Sequence, residues 1–377
     1  DIIVGFEKYI CHFSYLSILL FFSFYLCKQK EMASDTTLNT MKDLDHSCQL
    51  SIIVPVYNVE KYIHACMESI FRQGLDDKVF EVIIVNDGTQ DRSMEVIQDI
   101  ISQHDNITVI NQENLSLSVA RNNGIAVAKG EYILMPDSDD LLIDNSLSIL
   151  LEKALESKAD LVVADFLEMT DEEIKRLDNV AQKYLKVKEK TGEQMFLEDL
   201  NPRQCYVWRT LYRRAFIQEN NLTFIPGVRY QDVPFTHECY LRAKKCLRVS
   251  RLLNVYRKGH ASATYSFNKK KAHDLITVIA GTWKLRKIEG LSPAVLLKLE
   301  DDVFTSFSLL IYFMLYGMKD AKERQEVFQD LNNTVPDLNF SNGRKQKMTW
   351  FLYKHSPKLY FALRLFIKSW TPKPNFE

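Results

Sequence analysis

With 377 residues the chain has room for two to three domains' worth of core, or for one large domain with additions. Its 46% hydrophobic and 26% charged residues are the balance of a soluble globular protein, and a formal net charge of −1 supplies no global field for nucleic acid, which is excluded as an expected partner. Seven scattered cysteines without a Cys-x-x-Cys pair, and eight histidines without a His-Glu-x-x-His pair, leave no zinc or disulfide spacing and fit a reducing compartment.

Residues 9–27 contain no Lys, Arg, Asp or Glu, which is about the ~20 residues a membrane span needs. Lys28 and Lys30 follow and would put the remainder on the cytoplasmic side. The chain begins at Asp1, and Met32 and Met41 stand just before the first recognisable domain, so the same stretch also reads as upstream sequence outside the natural protein. Both readings stand at this stage. Residues 31–49 are polar and read as a linker.

From residue 50 the pattern alternates. Residues 50–57 are a β-branched run without strict alternation, as in a strand buried on both faces. Asn58 is suited to cap the next helix, whose stripe is Ile63, Cys66, Met67, Ile70 and Phe71. Residues 80–85 form a second strand ending in Asn86-Asp87-Gly88-Thr89. A helix starting at Asp91 and a strand over 107–110 follow. Residues 117–129 read as a helix closed by Gly130 at the position after the cap. Residues 131–135 are a strand, 144–156 a helix and 160–164 a strand. This alternation predicts an α/β fold with a mostly parallel sheet and helices on both faces.

The strand over 131–135 ends at Pro136 and is followed by Asp137, Ser138, Asp139 and Asp140. In open α/β sheets ligands sit outside the carboxyl ends of the strands, so Asp87 and this acidic cluster can line one crevice. Three adjacent carboxylates repel one another unless a positive charge sits among them. A hard divalent cation bridged to a phosphate answers that need. Taken alone, the cluster also reads as an acidic helix cap, with Asp140 or Asp144 as the capping residue. No Gly-x-Gly-x-x-Gly or Gly-x-x-x-x-Gly-Lys-Ser/Thr loop is present to hold phosphate in another way.

Four segments, Ser51-Ile-Ile-Val-Pro-Val-Tyr-Asn58, Val85-Asn-Asp-Gly-Thr-Gln-Asp-Arg-Ser93, Ala120-Arg-Asn-Asn-Gly124 and Gly130-Glu-Tyr-Ile-Leu-Met-Pro-Asp-Ser-Asp-Asp140, resemble the successive motifs of family 2 glycosyltransferases with the GT-A fold. The resemblance is strong over 50–165 and weaker to about 265. It implies that Pro55, Val56, Tyr57 and Asp87 hold the nucleotide base, and that Arg121 lies near the ribose or phosphates. It implies that Asp137 bonds the ribose, that Asp139, with Asp137 beside it, binds the Mn²⁺ or Mg²⁺ bridging the diphosphate, and that Ser138 and Asp140 lie by the donor sugar. Without the family, Tyr57 reads as packed at a strand end and Arg121 as a helix surface charge. Two positions depart from the pattern: Asn86 stands where Asp is usual, and Ser116 where Gly is common.

Residues 170–192 are charge-rich and read as a solvated helix or mobile insertion. Thr191 and Gln194 fit a capping box. Val207-Trp-Arg-Thr-Leu-Tyr-Arg-Arg214 and Phe224-Ile-Pro-Gly-Val-Arg-Tyr-Gln-Asp-Val-Pro-Phe235 resemble the later family motifs, which assigns the catalytic base to Asp232, with Gln231 where Glu is usual. Asp232 also suits a cap for the helix near Pro234. Trp208 reads equally as an acceptor-sugar platform or as core. Arg257 and His260 resemble a loop that closes over donor phosphates, against a plain surface loop. From residue 269 the chain is helical, and its tail over 344–368 is basic, aromatic and amphipathic, as in helices that lie on anionic membranes.

Four regions result: 1–49, a hydrophobic segment and linker; 50–165, the nucleotide-sugar half; 166–265, the acceptor half; and 266–377, the helical region. The expected reaction is inverting transfer from a nucleoside-diphosphate sugar, UDP being the commonest donor base in the family. The acceptor is a glycan or lipid-linked glycan, in the cytoplasm at the inner face of the cell membrane, in building bacterial cell-surface polysaccharide. A non-catalytic nucleotide- or glycan-binding relative, favoured by Gln231 alone, is the alternative. A sugar nucleotidyltransferase would need a Gly-rich loop that Pro55-Val-Tyr-Asn58 does not supply, and no Gln-x-x-Arg-Trp motif marks a processive synthase.

Overall fold

Every residue of β1 (Leu50–Val56) is buried. Successive side chains of a strand point to opposite faces, and here both faces are covered. Ile52 and Val54 join one apolar cluster, and Ile53 joins the other. The computed structural model describes residues 48–176, 180, 182, 185–259, 269–318 and 320–370, the side chains of 367–370 excepted. The expected hydrophobic N-terminal segment and His260 lie outside the described residues.

β1 pairs in parallel with β2 (Phe80–Asn86) from Leu50↔Phe80 to Val56↔Asn86, and β2 pairs in parallel with β3 (Ile107–Asn111). On its other side β1 meets β4 (Tyr132–Leu134), but only as far as Ile52↔Leu134. Pro55, which has no N–H to give, lies beyond that last pair. The chain runs outward from β1 to β2 and β3, then returns to β4 on the opposite side. The gap beyond the ends of β1 and β4 is therefore the switch point of the sheet, where ligands of open α/β folds bind. The connecting helices are α1 (Ile63–Phe71), α2 (Gln98–Gln103) and α3 (Leu117–Val127). Ile63, Cys66, Met67 and Ile70 of α1 are buried on one face of the sheet, as their spacing predicts.

The remaining elements of the sheet region are β5 (Leu141–Leu142), α4 (Leu147–Ser157), β6 (Leu161–Thr170), α5 (Asp171–Ile174), β7 (Val187–Lys190), α6 (Gly192–Glu198), β8 (Thr210–Arg213), α7 (Arg214–Glu219), α8 (Asp232–Arg242) and β9 (Cys246–Lys258). The strand order is β3-β2-β1-β4-β8-β6-β9-β5, with β7 paired to β9. The α/β expectation holds, and β3-β2-β1-β4 is parallel. The sheet as a whole is mixed, because β8 enters antiparallel between β4 and β6, and β5 and β7 flank β9 antiparallel. Residues on both sides of the expected 165/166 boundary thus share one sheet. The helical region contains α9 (Lys269–Lys284), α10 (Pro293–Tyr316), α11 (Ala321–Thr334), α12 (Arg344–His355) and α13 (Pro357–Trp370), around a third core that includes Phe307, Phe340, Trp350 and Tyr353. Among the described residues no helix is long and apolar enough to cross a membrane.

Local elements differ from the sequence pattern where side chains bond across loops. Asn58 does not cap α1: it sits at φ 53°, and its Oδ1 accepts from the backbone N–H of Gln90 at 3.0 Å. The helix expected from Asp91 begins only at Gln98. Asp91 instead accepts from the backbone N–H groups of Glu60 and Ser93, both at 3.0 Å, and shapes the preceding turns. Gly130 is not a left-handed cap residue. A Cβ there would come 2.4 Å from the backbone nitrogen of Ser51, so glycine is required by close approach to β1. The capping box of Thr191 and Gln194 forms as expected.

Candidate active site

The fully buried β4 delivers the chain to the switch point, and a turn closed by Asp140 N–H donating to the Asp137 carbonyl (3.2 Å) follows. The turn brings carboxylate oxygens of Asp137, Asp139 and Asp140 within 4.8 Å of one another. The sequence expectation that Asp140 or Asp144 caps a helix does not hold. The next helix, α4, starts at Leu147 behind Ser146, and Asp144 pairs instead with Arg72. Asp140 is buried, and its Oδ1 accepts from the backbone N–H of Arg257 at 2.8 Å. Its Oδ2 is buried without a hydrogen-bond partner among the described residues. Burial, with the charges of Asp137 and Asp139 added, pushes the Asp140 carboxyl up to about 9. Burial also raises Asp137, against the opposing pull of Arg121. Three hard oxygen donors, one of them orphaned, in a place where negative charge is unfavourable fit a divalent cation such as Mn²⁺ or Mg²⁺.

Two arginines bound this acidic turn. Arg121 projects from α3, is 2% exposed and pairs with Asp137, so the reading of a surface charge fails for it. Its guanidinium lies 5.4 Å from the ring centre of Phe224, and its Nε has no partner among the described residues. Arg257 is buried at the end of β9. Its Nε donates to the Asp139 carbonyl at 2.8 Å, its Nη1 pairs with Asp171, and its guanidinium sits 4.7 Å over the Tyr62 ring. Arg257 is thus bound into the acidic turn. Asp171 belongs to the charged stretch that reads as solvent-facing in sequence, and its role was missed there.

Asp232 is the first residue of α8. Gln231 before it occupies the cap position without a capping side-chain bond. Burial pushes the Asp232 carboxyl up to about 6; Arg121 pulls it down and Asp137 raises it further. These mutual effects place Asp232, Arg121 and Asp137 in one electrostatic neighbourhood. Gln231 is buried, and its Oε1 has no partner among the described residues.

Asp87, at the end of β2, is buried. Its Oδ1 accepts from Gln112 Nε2 (2.7 Å) and Leu115 N–H (2.8 Å), and its Oδ2 from Ser116 N–H (3.1 Å). It therefore shapes the loop leading into α3. In that loop Ser116 takes φ 105°, a conformation that favours glycine, which accounts physically for Gly being common there in the family. Pro55 and Val56 are buried within β1, so of the expected base-binding segment only Tyr57, 40% exposed, presents its side chain. Ser138 is buried in the acidic turn. Trp208 is 2% exposed, stacked on Tyr206 at 4.7 Å and on Tyr256 at 5.7 Å, with Phe166 edge-on at 5.0 Å. The half-buried Tyr206 borders the acids: burial, then the charges of Glu168, Asp232 and Asp140, push its phenol up to about 12. Sequence reading singled out Trp208 and missed Tyr206, though it stands two residues away.

A switch-point crevice with a carboxylate triad, flanking arginines and a separate high-pKa aspartate suits a metal-bound diphosphate and a base. Residues 51–219 match the model of Glycosyl transferase family 2. The chain carries a family 2 glycosyltransferase domain. Among curated proteins it is similar to the uncharacterized glycosyltransferase EpsJ of Bacillus subtilis, 36% identical over 217 residues, which cover 57% of this chain and 62% of EpsJ. The chain thus spans about three fifths of that relative's length. Among solved structures it is similar to S. aureus TarS 1–349 in complex with UDP (TM-score 0.65, 19% identity, 86% of this chain and 93% of that one). The UDP-GlcNAc complex of the same protein matches with TM-score 0.60 and 21% identity, over 76% of this chain and 80% of that one. These likenesses show the fold of the glycosyltransferase domain and of the helices that follow it.

Proposed function

We propose that the protein transfers a sugar from a nucleoside-diphosphate sugar, a UDP-sugar, to a hydroxyl of a glycan or lipid-linked glycan, with inversion at the anomeric carbon. The observation that carries this reading is the juxtaposition of the Asp137–Asp139–Asp140 turn with Asp232 across Arg121. The complexes of TarS with UDP and UDP-GlcNAc support the choice of donor.

Asp139 and Asp137 would hold the divalent cation. When bound, it supplies positive charge to a leaving diphosphate, worth several kcal/mol in such sites. Arg121 pairs with Asp137 and orients it. Tyr57 and the Asp87-shaped loop border the nucleoside, and Asp140 lies by the donor sugar. Gln231, with its unpartnered Oε1, and the Tyr206–Trp208–Tyr256 stack face the acceptor. Arg257 holds the acidic turn in shape. Asp232 takes the proton of the acceptor hydroxyl as its oxygen attacks. A carboxyl near 6 is mostly ionised at neutral pH and still a useful base. One base and one leaving group on opposite faces of the sugar give single displacement and inversion. The acceptor, and with it the reaction, is presented at the inner face of a bacterial cell membrane.

General-base catalysis is worth about 10²–10⁴ in rate. Asp232→Asn should lower kcat by about that factor while donor binding survives, and wild-type kcat/KM should rise as pH passes through about 6. Wild-type transfer by Asp232→Asn would remove the base from Asp232. Metal-dependent nucleotide binding without any transfer by the wild-type chain would favour the non-catalytic reading suggested by Gln231.

A further inference from the structure

α12 and α13 both carry large apolar side chains on their exposed surface as well as on their buried one. α12 buries Trp350 and Tyr353 and exposes Met348 and Phe351, three residues apart. α13 buries Tyr360 and Phe361 and exposes Leu359, Leu363 and Phe366, which follow the helical i, i+4, i+7 rule. At 3.6 residues per turn those three share one face, on the side away from Tyr360 and Phe361. Phe351 and Phe366 are 61% and 64% exposed, and the other three lie between 44% and 62%. A surface helix of a soluble protein normally turns polar residues outward, as α11 does with the exposed Lys322, Gln325 and Gln329.

Charge is segregated in the same segment. The whole chain balances 48 Lys and Arg against 49 Asp and Glu. Residues 344–370 contain Arg344, Lys345, Lys347 and Lys354 in α12, three more basic residues in α13, and no acidic residue. Among the described residues none of the four in α12 forms an ion pair with a carboxylate, whereas Arg121, Arg213, Arg257 and Lys298 do. A second copy of the chain on this face would set two such positive segments against each other. An anionic bilayer surface meets both features: its headgroups take the cations, and the acyl boundary takes Leu and Phe side chains.

We propose that α12 and α13 form a membrane-docking surface that lies in the interface of an anionic bilayer, which rests on the reading that the acceptor is presented at a membrane. The test is co-sedimentation of the full chain with vesicles of phosphatidylcholine alone and with about 30 mol% phosphatidylglycerol added. The chain should bind the anionic vesicles and much less to the neutral ones. Phe351→Glu with Leu363→Glu should weaken binding tenfold or more. Lys345→Glu or Lys354→Glu should each weaken it by at least about fivefold, and added salt should do the same. All four positions are exposed, so far-ultraviolet circular dichroism should show the fold intact. Equal binding to both vesicle types, no binding, or unchanged binding by the variants would overturn the proposal. So would light scattering that shows a dimer broken by Phe351→Glu with Leu363→Glu. Donor hydrolysis without vesicles is measured on the same proteins; its absence, with vesicle binding intact, would fault the transferase reading and not the docking surface.

Discussion

Asp140 is a carboxyl held against its own ionisation. Burial and two neighbouring acids raise it to about 9, far above the usual carboxylate range. A folded-state pKa raised above the unfolded value means that the folded protein binds the proton more tightly. Its stabilising share is then fully present below about pH 4 and is lost as pH climbs toward 9. Asp137, also raised by burial, adds in the same direction. The cation-free protein should therefore melt at a lower temperature at about pH 8.5 than at about pH 6. Asp140→Asn should flatten that dependence, and Mn²⁺ should raise the melting temperature most at the higher pH. Thermal unfolding at the two pH values checks this, and a wild-type protein that is equally stable at both would count against a strained triad.

Helix α8 carries Asp232 at its start and is anchored one turn further on. His237, fully buried, sets Nδ1 2.7 Å from the Val233 carbonyl and Nε2 3.1 Å from Asp302 Oδ2 on α10. Lys298 of α10 donates to both oxygens of Asp302, at 3.1 and 3.0 Å. This buried chain ties the base-bearing helix to the helical region. Breaking such a group by removing one partner leaves charge uncompensated, at a cost of about 3–5 kcal/mol. Asp302→Ala should lose stability on that scale in urea unfolding, and Asp302→Asn, which keeps hydrogen-bonding capacity, should lose less. An Asp302→Ala protein as stable as wild type would show that the chain does not hold α8. None of this is legible in sequence, since His237 and Asp302 lie 65 positions apart and neither belongs to a local motif.

At the scale of the molecule, what the sequence disclosed was local. The acids of 137–140 are contiguous, the strands before Asp87 and Asp137 announce themselves by β-branched runs, and the alternation predicts the parallel half of the sheet. Contacts between distant segments were not disclosed. Arg257 reaches Asp140 across 117 positions, and Asp171 meets Arg257 from a stretch that reads as solvent-facing. The antiparallel entry of β8 between β4 and β6 depends on tertiary pairing, not on periodicity. Trp208, which reads equally as a platform or as core, is enclosed by its neighbours. Long-range geometry turns a motif into a site in which metal, donor and base can meet. The most direct test is titration of UDP into the wild-type chain and Asp139→Ala by calorimetry, with and without Mn²⁺. UDP should bind the wild type only with Mn²⁺, and Asp139→Ala, still folded, should lose that binding. Equal binding without the metal, or unchanged binding by Asp139→Ala, would contradict a diphosphate held through the acidic turn.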